Sequence, residues 1–199
     1  MKKATQILMG SALVGFLIAL PGCTHNLKYQ PKQLQSLHKA TAKQSETLEQ
    51  TTVHFKQLSL VECKYYFNQE RLVGKPIQVS VVNNSDHSWI LSADNITLPL
   101  LNPTKIERKL HAGIVKSLVM GIVIPVVGLV HGVFSYQANN RISNDIKEKG
   151  LYIDQVIQPG EQLDVILFVH RKVVRNRDFS ITLVNADDKD HKARFYFTI

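Results

Sequence analysis

The chain has 199 residues, with 24 lysines and arginines against 16 aspartates and glutamates, a formal charge of +8. That length suits one ordinary domain with a real core, and two domains would be a stretch. The basic balance favours anionic surfaces, yet no interleaved basic and aromatic stripe of the kind single strands stack upon is present, which argues against nucleic acid as partner.

At the start, Lys2 and Lys3 precede an uncharged apolar run from Ile7 to Leu20 that stops at Pro21-Gly22. That order reads as a secretory signal over residues 1–22, and the run is shorter than the roughly 20 apolar residues that cross a bilayer. Its removal takes Lys2 and Lys3 with it and leaves about +6 on the remainder. Leu20-Pro21-Gly22-Cys23 resembles the lipobox of bacterial lipoproteins, departing from the common pattern at Pro21. The resemblance implies cleavage before Cys23, lipidation of Cys23 and attachment to a membrane through that lipid. Thr24 in place of an aspartate after the cysteine implies, by the same analogy, an outer-membrane address. With Cys23 lipidated, Cys63 is the remaining thiol, no intrachain disulfide can form, and the apolar stretch around Cys63 reads as core.

Residues 23–52 are rich in Gln, Lys, Ser and Thr and read as a lipid-anchored polar tether. Within it Ser36-Leu37-His38-Lys39 has a Ser-x-x-Lys spacing, but a tether has no rigid wall to desolvate the lysine or hold an oxyanion. From Val53 the apolar period becomes two. Ile77, Val79 and Val81 alternate with polar neighbours, Asn83-Asn84-Ser85-Asp86 marks a turn, and Trp89-Ile90-Leu91 follows as a strand. Ile96, Leu98 and Leu100 form another alternating set, broken by Pro99 and Pro103. Later, Ile153 to Ile157, the turn Gln158-Pro159-Gly160-Glu161 and Leu163 to Val169 repeat the pattern. Phe179, Ile181 and Leu183 then turn at Asn185 to Asp190 and pair with Ala193, Phe195 and Phe197. About seven short strands predict a mainly β domain over 53–199, an immunoglobulin-like β-sandwich.

An apolar, glycine-rich insertion at about 105–149 interrupts those strands. Gly113 to Phe134 is almost wholly apolar, with Pro125 at its centre and Lys116 and His131 inside, so a helical hairpin fits better than one straight span. Its arms are expected from about Ile106 to Ile124 and from about Val126 to Glu148, with Gly150 as the stop. The hairpin can pack on its own sandwich, dock on a partner or a second copy, or enter lipid; Gly121, Gly128 and Gly132 fit all three and are the candidate contacts with a partner or a membrane, the last two having small-xxx-small spacing. Lys105, Arg108 and Lys109 before the insertion suit either a head-group layer or a solvated helix face.

The motif search yields no catalytic residue, cofactor or metal site. Asp86-His87-Ser88 sets three triad residue types side by side in a turn, whereas real triads converge from separated segments. Asp187, Asp188 and Asp190 lack the glycine and terminal carboxylate of an EF-hand loop and read as a hairpin tip. Arg171, Lys172, Arg175 and Arg177 form the densest basic run, a candidate anion contact on a loop. The expectation is a non-enzymatic, lipid-anchored envelope module that binds or supports other envelope components, such as a subunit of a secretion apparatus, through a protein partner or self-association. The alternatives are a membrane-active protein whose hairpin inserts and oligomerises, and an enzyme or ligand-binding protein whose site one sequence does not reveal.

Overall fold

A computed structural model describes residues 29–69, 72–111, 125–173 and 177–199, without the side chains at 125–132, 134 and 135. The chain divides into two compact units, Pro31–Leu110 with Ile142–Ile199, and Met1–Gln30 with His111–Arg141. All the strands belong to the first. They are β1 (Gln44–Leu48), β2 (Thr51–Gln57), β3 (Lys75–Asn83), β4 (Trp89–Ile96), β5 (Gln155–Ile157), β6 (Gln162–Val169), β7 (Asp178–Asn185) and β8 (Lys192–Thr198). Three helices are described: α1 (Leu60–Phe67), α2 (Pro103–Leu110) and α3 (Pro125–Lys149).

The strands form two antiparallel sheets, ordered β1-β2-β3-β6 and β5-β4-β7-β8. Alternation sets which side chains meet. Val53 and Phe55 of β2, Ile77, Val79 and Val81 of β3, and Leu91, Ile181, Leu183 and Phe195 from the other sheet enter one shared core. Phe55 touches Phe179 edge-on, with ring centroids 5.2 Å apart, and so ties one sheet to the other. The expected β7–β8 hairpin is present, with Phe179 opposite Phe197, Ile181 opposite Phe195 and Leu183 opposite Ala193. Ile96 does not begin a new strand as the alternation suggested. It ends β4, whose register against β7 shifts between Leu91 and Ile96, and Leu100 beyond it bridges Val169.

Two elements depart from the sequence expectation. Leu60 to Phe67 is helical, although its neighbours have strand periodicity. Ser59 Oγ accepts the Glu62 amide at 3.2 Å while Glu62 accepts the Ser59 amide at 2.8 Å, a reciprocal cap that starts α1. Asn68, at φ 54°, ends it. β1 lies inside the stretch expected to be a tether, so that stretch is not all free spacer.

α3 covers nearly the span expected for the second arm of the hairpin. Pro125 stands at its first residue, where a missing N–H breaks no helical bond. Gly150 closes it, its amide donating to the Ile146 carbonyl at 2.8 Å. The first arm is described only as α2, which buries Ile106 and Leu110 and leaves Lys105, Arg108 and Lys109 exposed. The rest of that arm, with Gly121, lies outside the described residues. Among the described residues no helix is long and apolar enough to cross a membrane.

Candidate functional site

β2, β3 and β6 each turn a second face away from the core, and that face is covered. In register across the sheet run Ser45, His54, Ser80 and Asp164, one residue from each of its four strands. His54, Ser80 and the neighbouring Gln78 are buried despite their polarity. Burial of such groups requires partners. Ser45 and Gln162 supply partners for His54 and Ser80, and the segment from Pro31 to Lys43, which crosses this face as a strap, supplies one for Gln78 and adds bonds to Asp164. The strap's Gln35 carbonyl accepts the Gln78 side chain at 2.5 Å. Ser36 Oγ donates to Asp164 Oδ2 at 2.7 Å, and the Leu37 amide to Asp164 Oδ1 at 3.4 Å. Leu37 is the strap's buried apolar residue, and the Lys43 amide continues into the Phe55 carbonyl at 2.8 Å just before β1 begins.

Beside the strap lies a buried ion pair. Lys149 Nζ is 2.6 Å from Asp145 Oδ2, with both side chains no more than 3% exposed. They lie one turn apart on the last part of α3. The Lys149 ammonium also reaches the Tyr66 carbonyl at 3.4 Å and stands over the Tyr66 and Phe67 rings of α1, 5.8 and 5.5 Å from their centroids. Burial pulls the Lys149 ammonium below its ordinary range, while the Asp145 hydrogen bond and charge oppose the shift. An open cleft of about 410 Å³ is lined by Pro31 to Leu34 of the strap with Asp145, Glu148, Lys149 and Asp164. On the same buried face of α1, burial and the Glu62 charge push the Cys63 thiol from 9.0 up to about 11, so it stays protonated at neutral pH.

Chemically, this arrangement fastens a chain. Ser45 Oγ lies 2.7 Å from His54 Nδ1, and burial together with the nearby His38 lowers the His54 pKa, which favours a neutral ring. A nucleophilic serine also needs its base oriented by a third group. Asp164 lies two strands from His54, roughly 10 Å at ordinary strand spacing, and is already occupied by the strap. Asp164 thus serves as a latch for Ser36 and Leu37. A wider groove of about 600 Å³ between the chain after β4, Leu151-Tyr152 and β6 has Asp94 and Tyr152 as its titratable lining, with leucines and Phe168 forming much of the wall.

The residues singled out in the sequence fall elsewhere. Cys23, Gly121 and Arg175 lie outside the described residues. Gly128 and Gly132 are on α3. Arg171 turns its guanidinium onto the Leu72 carbonyl, and Lys172 and Arg177 are exposed, so the basic loop spends one cation on its own fold. Ser36 bonds Asp164 and is not paired with the exposed Lys39. Asp86 meets His87 at 3.2 Å, but Ser88 turns to Gln158 at 2.7 Å, so the three do not form a relay. Asp187 and Asp188 donate their amides to the Asn185 side chain, the geometry of a tight turn. Among the described residues no three His, Cys, Asp or Glu side chains are placed to hold a metal ion.

Sequence reasoning missed the latch because its members come from two strands distant in sequence, β3 and β6, and a segment with polar composition. The one local signal was the alternation of Gln78 and Ser80 with the β3 core residues, which defines a face without saying what covers it. No protein-family model matches the chain, and no curated protein and no solved structure matches it.

Proposed function

We propose that this protein is a non-enzymatic, lipid-anchored envelope module whose folded body is held close to an outer membrane through Cys23. The observation that carries this reading is the latched strap. Pro31 follows Cys23 by eight positions, and from there the chain is bonded to the sheet through Gln35, Ser36 and Leu37. A lipid on Cys23 therefore acts on a body joined to it by a short segment, which suits a positioned subunit better than a freely ranging enzyme. Cys23→Ser is expected to abolish fatty-acid incorporation and release the protein from membranes. Radiolabelled fatty acid still entering that variant, or unchanged fractionation with membranes, would refute the reading.

The sheets support the finer reading of an immunoglobulin-like sandwich. If β2, β3, β4, β6, β7 and β8 are strands A, B, C, E, F and G, with β5 as C′, the orders A-B-E and C′-C-F-G follow. Trp89, fully buried on β4, then occupies the core position of the strand C tryptophan. The insertion with α2 and α3 falls between C and C′. Val133 and Tyr136 are exposed on α3, and Tyr136 continues the four-residue spacing of Gly128 and Gly132. This stripe is the face on which a protein partner or a second copy docks in our reading, and Gly128→Leu is expected to reduce co-purification while the sheets stay folded. The competing reading, insertion of the hairpin into lipid, requires Cys23→Ser protein to resist carbonate extraction.

A further inference from the structure

We propose that the outer face of α1 rests on the head-group layer of an anionic phospholipid bilayer, with Leu60, Val61 and Tyr65 as the contacting side chains. The proposal builds on the lipid anchor and says which side of the body faces the membrane.

α1 buries Cys63, Tyr66 and Phe67 and leaves Leu60 57%, Val61 78% and Tyr65 50% exposed. At the helical angle of about 100° per residue, positions 60, 61, 64 and 65 fall within roughly 140° of one side. Three large apolar side chains and Lys64 thus share one face of an eight-residue helix. Two lysines accompany the apolar side chains. Lys32 Nζ stands 5.9 Å from the Tyr65 ring centroid, and Lys64 is exposed beside it. Glu62, the acid of this helix, is held by Lys56 at 2.6 Å and by the Ser59 cap. Beyond α1, Arg171 touches the Leu72 carbonyl, which brings the basic loop against the connection that follows the helix.

Apolar side chains with a tyrosine, accompanied by lysines, are the chemistry of an interfacial contact with anionic lipid. Chain length favours this occupant over a diffusing protein. Lys32 follows Cys23 by nine positions, a contour of at most about 32 Å however the segment runs. A lipid on Cys23 keeps this face within that distance of a bilayer at all times.

The test uses the full chain as purified from membranes, carrying Val61→Cys or Val156→Cys labelled with an environment-sensitive fluorophore. Val156 is also exposed, but on β5 of the other sheet, and Cys63 is buried and protonated, so with lipid on Cys23 each variant takes one label, and a second label marks an unmodified Cys23. The protein is reconstituted into vesicles of phosphatidylglycerol and phosphatidylethanolamine containing spin-labelled lipid. The expected result is a blue shift at residue 61 and quenching there roughly twofold or more above that at residue 156, reduced by Lys32→Glu with Lys64→Glu. Equal quenching at both positions, or none at residue 61, would overturn the proposal. Mass spectrometry of the N-terminal peptide reports separately on the anchor. Lipid on Cys23 without quenching at 61 defeats only the orientation, and an unmodified Cys23 defeats the anchor itself.

Discussion

Asn83 shows how much one side chain settles. It closes β3 fully buried, and its oxygen accepts the Ser85 amide at 3.1 Å and the Thr51 hydroxyl at 3.3 Å. Its nitrogen donates to the carbonyls of His87 at 2.8 Å and Ile157 at 3.0 Å, joining the β3–β4 turn to β5. Asn83→Ala strands several of these groups away from water, so we expect a loss on the order of 3 kcal/mol, read as a lower urea midpoint at unchanged slope. His54 gives a pH-dependent counterpart. Burial lowers its folded-state pKa below 6.5, His38 adds to the effect and Asp164 opposes it. The unfolded chain then binds more protons below pH 6.5, and stability falls as the pH drops towards the folded value. Unfolding at pH 7.5 and pH 5.5 should show a smaller acid loss in His54→Gln than in the parent. The turn at Asn83-Asn84-Ser85-Asp86 was legible in the sequence because those residue types favour turn geometry wherever they cluster. The burial of His54, Gln78 and Ser80 was not, because a period of two assigns sides and leaves their covering open.

The helix α1 and the approach to β3 reflect different local rules. Ser59-Leu60-Val61-Glu62 holds the Ser-x-x-Glu signature of a helix start, but β-like residues on both sides mask it, and the helix is too short to establish a period of its own. Ser59→Ala removes the acceptor for the Glu62 amide and should cost about 1 kcal/mol, with fluorophore access to Cys63 rising as α1 frays. Gly74 illustrates a need that composition hides. A Cβ there would lie 2.8 Å from both the Val169 carbonyl oxygen and Leu101 Cδ1, so β3 can begin beside the end of β6 only with a bare backbone. Gly74→Ala should lower the melting midpoint by an amount equivalent to about 1–3 kcal/mol. α3 was easier to read, since Pro125 and Gly150 punctuate it at either end.

Seen whole, two sheets leave strand edges that invite pairing with other chains. The side where β1 and β8 meet is guarded by side chains. Gln44 Oε1 accepts the Thr198 amide at 2.8 Å, and the Glu46 carboxylate accepts the Tyr196 amide. These bonds satisfy outward amides of β8 and tie the two sheets together. Gln44→Ala with Glu46→Ala should speed hydrogen exchange at Tyr196 and Thr198 and introduce concentration-dependent association in light scattering. Unchanged exchange at both amides would show that this guarding is not what protects them. The opposite edge of the same sheet, β5, has three residues and offers little template. The two-sheet plan was legible from alternating hydrophobicity and turn residues. The contribution of Gln44 and Glu46 was not, since polar residues that cap an edge look in sequence like those of any solvated loop.

The latched strap also has a mechanical meaning. Tension applied at Pro31 is borne first by the contacts of Gln35, Ser36 and Leu37 with Gln78 and Asp164, and only after their release by Lys43 and the β1–β2 ladder. A few hydrogen bonds loaded in sequence yield at lower force than a ladder or a core. The protein thus carries a length of slack stored against its own surface, which a pull on the chain ahead of Pro31 draws out before the sheets feel the load.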